Sequence, residues 1–167
     1  DVEAFAPDDE TEILVVVHEL QTDVYRAGAH DLRSTGDGFT LAQSLPIAHA
    51  RDAEHILIDG AHVIVLSVFR NDVSYNAHSV LYVWHVVRGK LEILHQFLAG
   101  QGAIDAEYLN SSNGQLLLMA SQRDGFTRQY HLSLAAVDAG IQEVANSSWV
   151  TPRVYDIAWH YAQDAKC

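Results

Sequence analysis

Apolar residues in this chain come in short bursts separated by Gly, Asn and Asp. The densest bursts are Ile13 to Val17, Val63 to Leu66 and Leu116 to Met119, and each stands at the same place in a longer pattern. Runs rich in Val, Ile, Leu and Tyr, bounded by turn residues, predict β-strands. In the stretch from 52 to 104 the spacing predicts four of them, near 53–58, 61–69, 78–86 and 90–97. The second is uniformly apolar, as in a strand covered on both faces. The third alternates, with Val80, Tyr82 and Trp84 on one side and Leu81, Val83 and His85 on the other. Asp59-Gly60 predicts a tight hairpin, because both residues tolerate positive φ. Asn113-Gly114 stands at the matching point downstream, and Asp8 to Thr11 predicts a longer loop upstream.

These bursts belong to an internal repeat. Asp1-Val2-Glu3-Ala4-Phe5, Asp52-Ala53-Glu54-His55-Ile56 and Asp105-Ala106-Glu107-Tyr108-Leu109 are similar, and Asp156-Ile157-Ala158-Trp159-His160 is a weaker fourth copy. Their first residues lie 51, 53 and 51 positions apart. Gly38, Gly89 and Gly140 keep the same period, as do His30, His78 and His131. Recurrence of those histidines predicts a structural hydrogen bond at a strand entry. Four-stranded repeats of roughly 40–50 residues predict propeller blades, which bury their faces only against neighbours. The expectation is an all-β, propeller-type array: three four-stranded antiparallel blades over about 1–51, 52–104 and 105–155, and the start of another strand set at 156–161. Three blades do not close a ring alone, so the array is expected to be partial, or completed by a longer chain or an oligomer.

Lys and Arg number 10 against 22 Asp and Glu, a formal charge of −12. So acidic a surface repels phosphate backbones and argues against nucleic acid as a partner. No apolar run approaches the roughly 18 residues that would cross a bilayer, so no membrane insertion is expected. The chain opens without Met or a leader pattern and reads as processed or as part of something longer. Cys167 is the single cysteine, so any disulfide it makes is to another chain or to a residue outside this sequence. Asn110 and Asn146 head N-x-S sequons and are candidate glycan sites.

In a strand, residues two apart share a face. Asp1 with Glu3, Asp52 with Glu54, and Asp105 with Glu107 therefore set carboxylates side by side. If the blades converge these pairs, six acids form a candidate cation cluster, and Ca²⁺ suits an all-oxygen site. The alternative is that each Asp ends a turn and each Glu lies on a solvated edge. Tyr25 and Tyr75, read as following the second strand of their copies, and Trp149, after a sequon, are candidate aromatic anchors for a protein partner. Trp84 is placed in the core. His18-Glu19 begins a zinc-hydrolase pattern but lacks the second His, and no G-x-S-x-G or phosphate loop occurs.

The order of these pieces resembles a known family. An Asp-x-Glu strand, an apolar strand, Ser79 to Trp84, the Leu91 to Phe97 strand and then Gly102-Ala103-Ile104-Asp105-Ala106-Glu107 is similar to the EAR repeat, also called the EPTP or epitempin repeat. That repeat occurs in leucine-rich glioma-inactivated proteins and in the thrombospondin-type laminin G and EAR repeat protein. Gln43-Ser44-Leu45-Pro46 ahead of Asp52 carries the likeness in the first copy. The first and third copies lack the Tyr82 and Trp84 pair, with Arg33 and Ala135 nearby instead. The resemblance implies a secreted or cell-surface propeller, a glycoprotein, that binds a receptor or matrix protein and is not an enzyme. Two other functions stay open on the residues: a lectin-like propeller reading glycans, and a hydrolase using a carboxylate pair such as Glu54 and Glu107.

Overall fold

The computed structural model describes residues 1–28, 38–58, 60–111 and 114–132. These residues form strands and no helix. The first sheet is β1 (Val2–Asp8), β2 (Thr11–Val17), β3 (Thr22–Gly28) and β4 (Thr40–Leu45). The second is β5 (Ala50–Ile58), β6 (Ala61–Val68), β7 (Ser79–His85) and β8 (Lys90–Phe97). The third holds β9 (Ala103–Ser111), β10 (Gly114–Ser121) and β11 (Thr127–Leu132). In every sheet the strands lie in chain order and pair antiparallel, as consecutive hairpins dictate.

The second copy matches its sequence expectation to within a few residues at each strand end. The first copy differs at its opening turn. Only Asp9 and Glu10 separate β1 from β2, because the Asp8 carboxylate accepts the Glu10 N–H at 2.9 Å and closes the turn locally. Gly60 has φ +82°, as the hairpin expectation requires, while Asp59 and Asn113 lie outside the described residues.

The sheets stack face to face through two apolar cores. Between the first and second sheets lie Phe5, Ile13, Val15 and Val24 against Ile64, Leu66, Val80, Tyr82 and Trp84. Between the second and third lie Ile56, Val63, Val65, Leu81 and Phe97 against Leu117, Met119 and Tyr130. The period-2 alternation of β7 thus divides its side chains between two cores. From Val63 onward β6 is buried at every position, whereas β2 alternates, since only the middle sheet is covered on both faces by described residues. First strands of successive sheets lie close together, while β4 and β8 meet at few residues. The sheets therefore fan outward from β1, β5 and β9, as propeller blades do.

Each blade connector turns through a left-handed residue. Gly102 has φ +66° and His49, at the matching position, has φ 57°. The N–H of each donates to the preceding blade, to Tyr75 O at 2.9 Å and Glu19 O at 2.8 Å. Each carbonyl accepts from its own blade, from Gln122 N at 2.9 Å and Phe69 N at 3.0 Å. A β-carbon disfavours this backbone by about 1–2 kcal/mol, and glycine's extra chain entropy returns part of that. His49→Gly is therefore expected to stabilise the protein by about 0.5–1 kcal/mol, read as a higher urea midpoint with unchanged slope.

Candidate functional site

The three Asp-x-Glu copies sit on β1, β5 and β9, the strands where blades converge. The carboxylates of the first two copies reach across to the next blade. Asp1 Oδ2 accepts the Ala53 N–H at 3.1 Å, and Asp52 Oδ2 accepts the Ala106 N–H at 2.9 Å. Glu54 Oε1 accepts the Tyr108 N–H at 3.1 Å, and Glu3 accepts the His55 N–H. Each Asp takes the amide one residue past the next Asp, and each Glu takes the amide three past it. The first strands of adjacent blades are thus joined by side chains, which satisfies amides that have no strand on that edge.

The acids of this ladder also act on one another. Burial first, and then the charges of Asp105, Glu54 and Glu107, push the Asp52 carboxyl up to about 6, against the Ala106 hydrogen bond that favours the ion. Glu54 is raised by burial and by Glu107, Glu3 and Asp105, and Glu3 by burial. Ca²⁺ needs six to eight oxygens around one point. Asp1, Glu3, Asp52 and Glu54 each take one amide of the next blade. Among the described residues no group of three or more His, Cys, Asp or Glu is placed to hold a metal ion.

A second polar bridge spans the outer strands. The Gln43 side chain donates to Leu91 O and accepts from Leu91 N, both at 2.9 Å, so it completes a strand-like pair between β4 and β8. In the sequence Gln43 stands out only as part of the Gln-x-Leu pattern. Its recurrence at Gln96 is the signal that could have marked a structural role.

The candidate anchors have different surroundings. Tyr75 stands in the loop after β6, and its ring is committed to neighbours. It meets Phe69 edge-on at 5.2 Å, lies under the Arg123 guanidinium at 4.1 Å, and its hydroxyl accepts from Arg123 Nη2 at 2.7 Å. Tyr25 stands inside β3 rather than in a loop, because its neighbour Asp23 is buried and fixed by Ser44 and Gln21. Tyr25 pairs with Leu14 and Leu41 on the side of the first blade away from the second. There it is half-buried, beside exposed Leu41. Asn110 is exposed near the end of β9. Trp149, Asn146, Cys167, His30, Gly140, Arg33, Ala135 and the 156–161 strand lie outside the described residues.

Of the three recurring histidines, His78 alone has a described side chain. His78 is exposed and makes no hydrogen bond among the described residues, so it does not fasten its strand entry. The structural pair is His55 and His62, whose Nε2 and Nδ1 lie 3.0 Å apart. Phe5 of the first blade stacks on His55 at 4.7 Å and on His62 at 5.3 Å. Burial, with the charge of His62, pushes His55 down to about 4, and burial lowers His62. A histidine depressed in the folded state adds stability above its free value near 6.5 and loses it as pH falls through the folded value. The pair is therefore expected to lower stability between about pH 6.5 and 4. His55→Phe should lose less over that window, as read by urea midpoints at pH 7.5 and 5.0. A cleft of about 240 Å³ at the junction of the first two blades is lined by Pro46, His49, Arg70, Asp72 and His78.

Fold and site together define a repeat-built array of propeller-type blades. No family model matches the chain. It is 31% identical over 96 residues to a mouse thrombospondin-type laminin G domain and EAR repeat-containing protein, and 30% identical over 96 residues to the human one. The match takes in 58% of this chain and spans 14% of the length of each relative. That similarity agrees with the likeness carried by the repeat motifs.

Proposed function

We propose that this chain is an EAR-repeat module that binds another protein outside the cell, as part of adhesion or receptor docking, and that it is not an enzyme. The observation that carries this reading is the 96-residue similarity to EAR repeat-containing proteins. The blades supply a rigid frame, and the face with Tyr25, Leu41 and exposed Val2 supplies apolar and aromatic area of the kind that anchors protein partners. An acidic chain of net charge −12 favours a partner with a basic face. Asn110, exposed on β9, is open to a glycan in a secretory setting.

The test is binding of the tetramerised chain to cultured neural and epithelial cells. The proposal expects saturable binding that is abolished by proteolysis of the cell surface, unaffected by removal of cell-surface glycans, and weakened by Tyr25→Ser with Leu41→Ser. Binding lost with the glycans instead would favour the lectin reading. Calcium belongs to the proposal only through the mutual repulsion of Asp52, Glu54, Asp105 and Glu107. A thermal midpoint unchanged by chelator would remove it.

A further inference from the structure

The cleft between the first two blades has a counterpart at the next junction that is filled from within. Strand register makes Val80 the equivalent of Arg128 and Val68 the equivalent of Ser121, and the matched connectors make Pro46 the equivalent of Ala99. At the second junction Arg128 Nη1 donates to Ala99 O at 3.3 Å and to Ser121 Oγ at 3.2 Å, and Nη2 donates to Asp124 at 2.7 Å. At the first, valine is too short to cross, and about 240 Å³ stays open beside Pro46 and Val68. The acceptors for a cation are gone as well. Val68 stands for Ser121, and Asn71 stands for Asp124, with its side-chain oxygen committed to the N–H groups of Val73 and Ser74 at 3.0 and 2.7 Å.

The wall of the open cleft carries the opposite charge. Arg70 lines it and makes no hydrogen bond, ion pair or ring contact among the described residues. Every other described Lys or Arg is engaged: Arg26 with Thr11, Arg51 with the Phe69 ring, Arg88 and Lys90 with Glu92, Arg123 with Tyr75 and Arg128 with Asp124. Arg123 holds the repeat position of Arg70, next to the residue whose N–H meets the connector carbonyl. A β-carbon on Gly102 would lie 3.1 Å from Arg123 Cγ, so His49, which stands at that place in the first junction, denies Arg70 the path that Arg123 takes. His49 keeps a left-handed backbone where the next repeat has glycine. Local strain of this kind clusters at ligand sites. Its side chain is nearly buried and lines the cleft together with His78.

We propose that this cleft binds a small monocarboxylic acid, with its carboxylate on the Arg70 guanidinium, His49 and His78 as further N–H donors, and its apolar stem against Ile47 and Val68. An arginine fork matches a carboxylate through two parallel hydrogen bonds. The cleft has the size and the mixed polar and apolar wall that a compact ligand needs. Asp72, exposed at the mouth and 3.7 Å from His49, opposes a doubly charged anion such as phosphate. The site is separate from the Tyr25 face and stands whether or not that face binds a protein.

Titration of butyrate into the ¹⁵N-labelled 167-residue chain, followed by NMR, tests it. The expected result is saturable shifts of the His49, Val68, Arg70 and His78 amides in the millimolar range, with inorganic phosphate and butylamine each weaker by roughly fivefold or more. Arg70→Gln should weaken butyrate by roughly tenfold or more at an unchanged urea midpoint, since Arg70 has no partner to lose among the described residues. His49→Gly should raise the midpoint and yet weaken butyrate, a split that a purely structural histidine would not give. Shifts that do not saturate, binding indifferent to Arg70→Gln, or phosphate or butylamine bound as tightly as butyrate would each overturn the proposal. Should Arg70→Gln lower the midpoint, Arg70→Lys keeps the charge without the fork and must still weaken butyrate.

Discussion

Phe97→Ala should cost about 3–5 kcal/mol, the range for emptying a buried aromatic site. Phe97 closes β8, is 5% exposed, and meets Tyr130 of the third blade edge-on at 5.1 Å. Its ring is held from both sides of one blade junction, with Leu94 and Leu81 on its own sheet and Leu117 and Met119 across from it. The neighbours belong to two sheets and cannot collapse together without moving a blade, which places the loss toward the upper end. A loss this large is a sizeable fraction of the total stability of an ordinary domain. It is read directly as a fall in urea midpoint. Phe97→Leu, which keeps most of the volume, should cost under about 1.5 kcal/mol. Equal losses for Ala and Leu would mean that the junction between these blades is not packed as described.

Asp52→Ala should destabilise by about 1–3 kcal/mol at neutral pH, because it strands the Ala106 N–H, which belongs to a residue only 3% exposed. Asp52→Asn should behave quite differently. Its amide oxygen can accept the same N–H, and it brings no charge into the group formed with Glu54, Asp105 and Glu107. The pH dependence separates the two effects. An aspartate raised from 3.8 to about 6 in the folded chain adds stability that is full below 3.8 and is lost as pH rises through about 6. The advantage of the Asp52→Asn variant over the parent is therefore largest at pH 7.5 and shrinks toward pH 4.5. Thermal midpoints of the parent and of the two variants across that range will show it. An Asn variant as unstable as the Ala variant would count against an acceptor role for this side chain.

Much of this architecture was legible in the sequence because a strand's period of two and a repeat's period near 51 survive in single residues. The β7 alternation divided Val80, Tyr82 and Trp84 from Leu81 and Val83, and those two sets go to different cores. The Asp-x-Glu pairs share a face, as the period of two requires. What sequence could not show was where that face points. Carboxylates in a row read as readily as a cation cluster or a solvated edge, and only the stagger between neighbouring first strands turns Asp52 and Glu54 onto amides of the next blade. Tyr75 was invisible as a blade-junction residue, since Arg123, which holds it, lies 48 positions away. The His55 and His62 pair was hidden for a related reason. Neither recurs in the other copies, so a search by period passes over them although they face each other across one hairpin. The left-handed His49 gave no local sign, because a histidine stands where the next repeat has glycine.

The claim at the centre of this account is that a half-buried carboxylate of one blade holds an amide of the next. It is tested most directly by following the Asp52 carboxyl carbon and the Ala106 amide proton together by NMR through an acid titration. The account predicts that both signals move in one step with a midpoint of about 6. An Ala106 amide that does not respond as the Asp52 carboxyl titrates would contradict it.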